Sequence, residues 1–410
     1  MATKEGTSGE NPHDPRFGQF GQLGANARRA LESETLPPHA YWSTAIYQSE
    51  LERLFFNQWI CVGRVDEVPS VGDFFTRAIG TESVIVVRDS ASSVRAHLNV
   101  CRHRACPLVE GRGTATAFKC PYHGWLYTLS GELRGAAEMQ RTVGFDKKDY
   151  SLLQAQVELW HGFIFIHFGK APPPLAACVP GLQEWISGFD LENQVTIREW
   201  EYRLDCNWKV YVENYVEEYH VPFVHRETLE PIMPLPGWHT YPEIAEPWGM
   251  IWGDYPKLSW SSTGKPLLPL IKGLTERSQS GMPLFIVYPM FLCMPAVDCT
   301  AYYLVFPTGP ETSQVLLRLC VPQDTAAALK SDAELQAGAA EYYRNIETFV
   351  AEDNEIAKKQ QRGLRSRRAV PGRYSKREFL LFKYHDWLRQ HVYSHLGSAE
   401  RSDVIGAKEV

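Results

Sequence analysis

Two stretches define the architecture of this chain: Cys101-Arg-His103-Arg-Ala-Cys106-Pro and, after a glycine-rich connection, Lys-Cys120-Pro-Tyr-His123-Gly-Trp. In each stretch only one or two residues separate a cysteine from a histidine, so a thiolate and an imidazole can reach the same metal centre. Two loops of this kind, brought together by β-strands, would enclose that centre. The spacing therefore predicts a site with two sulfur and two nitrogen ligands.

Two kinds of metal centre use these four donors. In a [2Fe-2S] cluster of the Rieske type, two thiolates bind one iron and two imidazoles bind the other. A zinc site can use two cysteines and two histidines, but zinc fingers pair like with like, whereas each stretch here supplies one of each. The pattern therefore favours the cluster over zinc. Cys106 has no histidine at pair spacing, and we expect it to be a small buried residue.

A second group of metal-binding residue types lies between Asn207 and His225. The tract begins with helical periodicity and is interrupted by Pro222, so His220 lies near a helix end and His225 just past a break. Both imidazoles could then turn toward one point. Two histidines and one carboxylate form the site at which non-haem Fe(II) enzymes bind O2. Taken alone, a pair of buried, hydrogen-bonded histidines is an equally good interpretation.

The order of these motifs resembles that of the Rieske non-haem iron (aromatic-ring-hydroxylating type) oxygenases, α subunit. The cysteine–histidine stretches are followed by Asn207-Trp-Lys, Glu213-Asn-Tyr, Tyr-His220-Val-Pro and then His225. The similarity spans about residues 46–395 of the chain. One departure is Ala105, where the family usually has glycine, but a small residue is retained.

The resemblance implies a ligand set for each metal centre. The implied ligands of the [2Fe-2S] cluster are Cys101, His103, Cys120 and His123. Those of the mononuclear iron are His220, His225 and Asp353. Asp353 is chosen because the family has a Glu-Asp pair upstream of a Gln-Arg-Gly-Leu segment, which here begins at Gln361. Asp332 and Glu347 compete for this role, and the alternative for them is a solvated helix face.

Glu217 is the most informative acidic residue of the second tract. On a helix, positions 213, 217 and 220 share one face, whereas Glu218 points elsewhere. Glu217 is therefore predicted to hydrogen-bond the nitrogen of His220 that does not face the metal. The family uses an acidic residue here to link this histidine to a Rieske histidine of the neighbouring subunit. Most members have aspartate, and glutamate is more similar to the choline, carnitine and betaine monooxygenase-like branch. The alternative is an ordinary charged helix residue.

The resemblance also implies an activity. It predicts an oxidoreductase that uses O2, and electrons from a separate NAD(P)H reductase with or without a ferredoxin, to hydroxylate or oxidatively N-demethylate a small organic substrate. It implies one [2Fe-2S] cluster and one Fe(2+) per chain, in a homotrimer. Two alternatives remain: a dihydroxylating dioxygenase of an aromatic acid, and a Rieske electron-transfer protein with a ligand-binding domain. The second would need none of the three iron ligands.

The predicted fold class is α+β, with two domains after an N-terminal arm. We expect the arm at 1–45 and a small all-β Rieske [2Fe-2S] domain at 46–169. A proline-rich linker, Lys-Ala-Pro-Pro-Pro, follows. The mononuclear iron catalytic domain at 175–410 is expected to have a helix-grip (START-like) fold, with an antiparallel sheet and long C-terminal helices. Its predicted helices are 208–219, 325–362 and 376–396.

Composition excludes several other classes. The chain has 410 residues and 9 cysteines. Its net charge is −6, so it lacks the basic excess typical of nucleic-acid binding. The most apolar window, 282–297, is interrupted by prolines and too short to span a bilayer. The start of the chain has no apolar run. We therefore expect a cytoplasmic enzyme. The basic tract 358–377 is a candidate reductase-docking surface, but salt bridges within the oligomer or a solvated face are the favoured interpretations. Several aromatic residues are candidates to line the substrate pocket, although core packing is the favoured interpretation of any single one: Trp248, Trp252, Tyr255, Trp260, Phe285, Tyr288 and Phe291.

Overall fold

The computed structural model describes residues 25–240 and 247–395. Most of the predicted arm, residues 1–24, lies outside these ranges, as does the end of the last predicted helix. Within the described part of the arm, Ala30, Leu36 and Tyr41 are buried. This part of the arm therefore packs against the rest of the molecule.

The first half of the chain is built from short strands. Apolar runs such as Val84 to Val87 are fully buried, as expected for strands covered on both faces. The strands are β1 (Ile60–Arg64), β2 (Asp73–Ile79), β3 (Glu82–Ser90), β4 (Ser93–Leu98), β5 (Arg112–Thr114), β6 (Phe118–Lys119), β7 (Leu126–Tyr127), β8 (Leu133–Gly135), β9 (Gln154–Trp160) and β10 (Phe163–His167). Seven of them form an antiparallel sheet in the order β1-β10-β9-β4-β3-β2-β5, and β6-β7-β8 form a separate small sheet.

The apolar run at 157–168, which by itself would indicate one strand, includes the turn of a hairpin formed by β9 and β10. His161 and Gly162 connect the two strands, with φ angles of 48° and 80°. Two successive residues with positive φ make the tight turn whose twist matches that of antiparallel strands. A continuous apolar run does not reveal such a turn, because the glycine is its only local signal.

The second half of the chain is organised around a seven-stranded antiparallel sheet. Its strands are β11 (Gln194–Leu204), β12 (Trp238–Thr240), β13 (Trp248–Gly253), β14 (Met282–Val287), β15 (Phe291–Pro295), β16 (Thr300–Gly309) and β17 (Thr312–Pro322). The order is β11-β17-β16-β15-β14-β13-β12, so every consecutive pair from β12 to β17 is adjacent. β11 closes the far edge against β17.

Helices pack on this sheet and complete the predicted helix-grip arrangement. They are α1 (Ala25–Glu32), α2 (Thr44–Glu50), α3 (Leu182–Ile186), α4 (Trp208–Tyr215), α5 (Val221–Val224), α6 (Glu276–Ser280), α7 (Gln323–Ala328), α8 (Ala333–Leu364) and α9 (Phe379–His391). α4 contacts β16, β17 and α8, while α9 contacts β13. The α+β prediction is confirmed.

Two predicted helices differ from those observed. The tract 325–362 is divided because Asp332 caps α8, accepting hydrogen bonds from the amides of Glu334 and Leu335. The helix predicted at 208–219 ends at Tyr215, before the metal-binding tract. Within the described ranges, no helix combines the length and apolar character needed to cross a membrane.

One hydrophobic core spans both halves of the molecule, and a smaller one surrounds the cysteine–histidine loops of the first half. Phe163 of β10 packs against Phe291 of β15, with ring centroids 4.7 Å apart. Arg64 of β1 is 1% exposed and donates to the carbonyls of Leu191 and Gln194 at 2.8 and 2.9 Å. Several such contacts fix the first domain on the second, although the predicted domain boundaries themselves stay predictions.

Candidate active site

Two similar loops carry the cysteine–histidine pairs. The amide of Ala105 donates to the carbonyl of Cys101 at 2.9 Å, and the amide of Gly124 donates to that of Cys120 at 3.0 Å. Ala105 and Gly124 both have left-handed backbones, with φ angles of 57° and 71°. Glycine adopts this conformation without strain, which gives a physical reason for the preference for glycine at the position of Ala105.

The side chains of these loops suit a cluster with two sulfur and two nitrogen ligands. Both cysteine thiols are 2% exposed, and the rings of His103 and His123 lie 4.6 Å apart. The Nδ1 atom of His103 is buried and has no hydrogen-bond partner among the residues that the structure describes, as expected of an atom reserved for a metal. Burial, with His123 nearby, lowers the pKa of His103, which favours the neutral imidazole that a metal requires.

Tyr127 ties the two loops together. Its hydroxyl lies 3.4 Å from the Sγ atom of Cys101 and accepts a hydrogen bond from the amide of Arg102 at 3.0 Å. Burial raises the pKa of Tyr127, so the hydroxyl keeps its proton and can donate to the sulfur. Hydrogen bonds to cluster sulfurs are one of the means by which a protein sets the reduction potential. Cys106 is only partly buried, and its Sγ atom lies 3.4 Å from the carbonyl of Pro107.

Three side chains from two distant parts of the chain meet in the second domain. His220 immediately precedes α5, His225 immediately follows it, and Asp353 lies in the middle of α8. One ligand atom from each falls within 4.8 Å of the others, and this is the sole such group of three among the described residues. The Nε2 atoms of His225 and His220 lie 2.9 and 3.8 Å from the Oδ1 atom of Asp353.

Each of these histidines is oriented by a second carboxylate on its Nδ1 atom. Glu217 Oε1 lies 2.6 Å from Nδ1 of His220, and Glu352 Oε2 lies 2.7 Å from Nδ1 of His225. Such pairs fix which ring nitrogen faces a metal and increase its basicity. Burial alone would lower the pKa of His220, but the charge and hydrogen bond of Glu217, together with the charges of Asp353 and Glu218, outweigh it and raise the pKa overall. Both Nε2 atoms are thus directed toward one point.

The donor set fits Fe(II). Two imidazoles and one carboxylate on one side, with the opposite positions open, form the arrangement of non-haem iron oxygenases. The competing residues Asp332 and Glu347 are used elsewhere. Asp332 caps α8, and Glu347 accepts from the indole of Trp200 at 2.7 Å.

Comparison with known proteins identifies both domains. Residues 58–151 match the family described as the Rieske [2Fe-2S] domain, and residues 191–394 match the ring hydroxylating alpha subunit (catalytic domain). The chain belongs to the Rieske non-haem iron ring-hydroxylating oxygenases. Its cofactors are therefore a [2Fe-2S] cluster and a mononuclear iron, and it is an oxidoreductase that uses O2 and electrons supplied by a reductase. These predictions are confirmed.

Relatives of this oxygenase share most of its length. The glycine betaine monooxygenase oxygenase subunit of Pseudomonas aeruginosa is 27% identical over 92% of this chain and 93% of its own length. The carnitine monooxygenase oxygenase subunit of Acinetobacter baumannii is 29% identical over 81% of this chain and 86% of its own.

Solved structures agree with this assignment. A quaternary ammonium Rieske monooxygenase superposes with a TM-score of 0.75 at 25% identity, covering 89% of this chain and 97% of the other. Naphthalene 1,2-dioxygenase from a Rhodococcus species has a TM-score of 0.72 at 21% identity, covering 90% of this chain and 98% of the other, and shares the fold.

A cavity of this oxygenase opens directly on the three converging side chains. Its remaining wall is largely aromatic and aliphatic, and comes from α4, α5, α8, strands β12 to β16 and the segments that follow α5 and β13. The aromatic residues that line it are Tyr211, Tyr215, Trp238, Trp260, Tyr303 and Phe349. Among the described residues that line this cavity, Glu217 and Glu218 are the charged groups besides the three converging residues, and none is lysine or arginine.

The sequence found some of these residues and missed others. Of the seven aromatic residues expected near the pocket, only Trp260 lines the cavity. Glu352 was noted only as a motif neighbour, and Asn214, which donates to Asp353 at 2.9 Å, was not singled out. Glu218 was expected to point away, yet it lines the same cavity as Glu217. Burial raises the pKa of Glu218 to about 7, although its own amide and Arg377 oppose this.

The basic tract 358–377 is partly engaged in contacts within the chain. Arg365 pairs with Glu311, Lys358 with Glu355 at 2.9 Å and Arg377 with Glu218 at 3.5 Å. These intramolecular pairs reduce the charge left for a reductase. Docking of a reductase here stays a prediction.

Proposed function

We propose that this oxygenase is a monooxygenase of a small quaternary ammonium compound. In this proposal Cys101, His103, Cys120 and His123 hold the cluster, and His220, His225 and Asp353 hold the mononuclear iron. Glu217 links His220 to the cluster of the neighbouring subunit in a homotrimer. When bound, the two metal centres supply the one-electron store and the site of O2 reduction.

The observation that carries the proposal is the character of the cavity next to the iron ligands. Its aromatic faces attract a cation through their negative π surface. Its acidic residues, Glu217 and Glu218, favour positive charge in a site shielded from water. An aromatic acid, which has no cationic group, would instead bring only a negative charge into a cavity whose described lining offers no lysine or arginine. The names of the relatives, which act on betaine, carnitine and choline, support the same substrate class.

The residues around the iron ligands have distinct tasks in this scheme. Asn214 holds the carboxylate of Asp353, while Glu217 and Glu352 hold the two imidazoles. Because Glu217 accepts from both Nδ1 and the backbone amide of His220, it fixes the ring and its chain segment together. The apolar wall excludes water from the space where the substrate would lie.

The test is turnover of the iron-loaded and cluster-loaded protein with NADH, a compatible reductase and ¹⁸O2. The substrates would be choline, carnitine, glycine betaine and a set of aromatic acids, with products identified by mass spectrometry. We expect one labelled oxygen atom in a product of a quaternary ammonium compound. Formation of a cis-diol from an aromatic acid, with no ammonium compound consumed, would contradict the proposal.

Two variants test the assigned residues. Asp353→Ala should retain the visible spectrum of the cluster but lose the mononuclear iron, so that iron per chain falls from three atoms to two and turnover stops. Glu217→Gln should keep all the iron yet slow product formation. Unchanged turnover in Glu217→Gln would remove this residue from the electron path.

A further inference from the structure

Glu218 is a buried carboxylate that the iron site does not use. Its side chain is 4% exposed, and the guanidinium of Arg377 lies 3.5 Å from its Oε1 atom. Its Oε2 atom is buried and has no hydrogen-bond partner within residues 25–240 and 247–395. A buried polar atom without a partner is costly unless a ligand compensates it. Because Glu218 lines the cavity, that ligand would be the substrate.

The other carboxylates of this cavity are already engaged. Both oxygens of Glu217 contact His220, at 2.6 Å to Nδ1 and 3.0 Å to the amide. Asp353 accepts from Asn214 and faces the imidazole of His225 through the same Oδ1 atom, and the proposed function assigns this carboxylate to the iron. Glu218 is therefore the carboxylate of this cavity with an oxygen atom available to a positively charged ligand.

Arg377 fixes the position of this carboxylate. One of its guanidinium nitrogens, Nη1, donates to the carbonyl of Trp238 at 2.9 Å and lies against Oε1 of Glu218. The arginine is thus anchored to Trp238, a residue of the cavity wall, without lining the cavity itself. It partly offsets the negative charge on one oxygen of Glu218. Trp238 and Glu218 both line this cavity.

We propose that Glu218 is the specificity-determining residue that gives this cavity its preference for a cation. Its Oε2 atom lies against the ammonium head of the substrate, and the aromatic wall surrounds the methyl groups. A quaternary ammonium has no N–H to donate, so carboxylate charge and aromatic faces are the groups that recognise it. A neutral molecule of the same shape leaves the buried charge without compensation. This inference rests on the proposed function, because it assigns the recognition of that substrate class to one residue.

The test compares two ligands of the same shape and different charge. Choline carries a quaternary nitrogen, and 3,3-dimethylbutan-1-ol has a carbon atom in its place. Binding of each to the iron-loaded and cluster-loaded protein would be measured by titration calorimetry, without reductase. We expect choline to bind roughly 30-fold more tightly than the alcohol. In Glu218→Gln this ratio should fall to between one and three, while the affinity for the alcohol changes less than about twofold.

Three comparisons make the outcome specific. Glu227→Gln removes the same charge from a nearby side chain that is 89% exposed, and it should leave the ratio unchanged. Glu218→Asp keeps the charge and should retain most of the preference. Binding of the neutral alcohol reports that each variant keeps its cavity.

The two proposals fail in different ways. If the wild-type protein binds choline no better than the alcohol, or if Glu218→Gln keeps the full ratio, Glu218 does not select a cation, whatever the turnover results. If the charge preference is present and depends on Glu218, but no ammonium compound is oxidised, the proposed function fails while the assignment of Glu218 stands.

Discussion

Glu352 and Asp353 are adjacent in the sequence but contact opposite sides of one imidazole. Glu352 lies 2.7 Å from Nδ1 of His225, and Asp353 lies 2.9 Å from Nε2. Thr228 also donates to the same oxygen of Glu352 at 2.7 Å. The side chain of His225 is 1% exposed. The two carboxylates and the surrounding packing therefore fix the orientation of its ring.

Replacement of Glu352 by glutamine tests this arrangement. Glu352→Gln keeps the shape of the side chain but removes the charge that orients and strengthens His225 as a ligand. We expect the affinity for Fe(II) to fall roughly 10- to 100-fold, with the cluster retained. The measurement is an anaerobic iron titration of protein from which the mononuclear iron has been removed.

Glu355→Gln provides the matched control for that titration. Glu355 lies on the same helix, is 63% exposed and pairs only with Lys358 among the contacts that the structure describes. Its loss should leave iron affinity unchanged. Equal affinities for Glu352→Gln and the wild-type protein would show that packing alone orients His225.

At the scale of an element, the segment between α4 and α5 shows what sequence periodicity cannot reveal. The apolar pattern predicts a helix through residue 219, but α4 ends at Tyr215. Glu217 reaches His220 through a local turn, accepting from its amide as well as its ring. The predicted contact between Glu217 and His220 is therefore present, but a local turn produces it and not helix geometry. Because the turn replaces the helix, Glu218 lies in the cavity and not on another face.

The parts of the site that sequence predicts well are local or match a motif. Each cysteine–histidine pair spans a few residues, so its spacing alone constrains the geometry. The contacts of Asn214 and Glu352 join residues more than a hundred positions apart, and only tertiary structure brings them together. The pairing of β11 with β17 likewise joins distant segments.

α4 is also fixed by a buried ion pair with α2. The Nζ atom of Lys209 lies 2.6 Å from Oε1 of Glu50, and both side chains are 0% exposed. Trp208 donates to the other oxygen of Glu50 at 2.9 Å, and Asn207 accepts from Lys209 at 2.9 Å. This network joins α2, which precedes strand β1, to the helix that leads into the proposed iron site.

Removal of one partner of this pair should destabilise the fold strongly. In Lys209→Met the carboxylate of Glu50 stays buried without its cation, which typically costs about 3–5 kcal/mol. Chemical denaturation followed by tryptophan fluorescence would measure the loss. Lys272→Met is the control, because the Lys272–Asp324 pair is exposed and should contribute nothing measurable. Equal midpoints for the two variants would show that the buried pair is not needed for stability.

At the scale of the whole molecule, the surface near each metal site is suited to contact with another subunit. Tyr122, beside the cluster ligand candidate His123, is 54% exposed, and Tyr219 and Phe223, beside His220, are 45% and 75% exposed. Exposed aromatic residues of this kind are common at interfaces. A ring of three chains in head-to-tail contact would bring the surface around Tyr122 of one subunit to the surface around Tyr219 and Phe223 of the next.

Mixed oligomers test whether electrons pass between subunits of the proposed homotrimer. A Cys120→Ser chain lacks the cluster but keeps the iron ligands, and an Asp353→Ala chain lacks the iron but keeps the cluster, so each alone should be inactive. If electrons pass to the next subunit, an equal mixture reassembled at random should recover about one quarter of wild-type turnover, because half of the positions receive each chain. Electron transfer within one chain would leave the mixture inactive. The same two proteins mixed without reassembly should also be inactive, which separates exchange of subunits from transfer between intact oligomers.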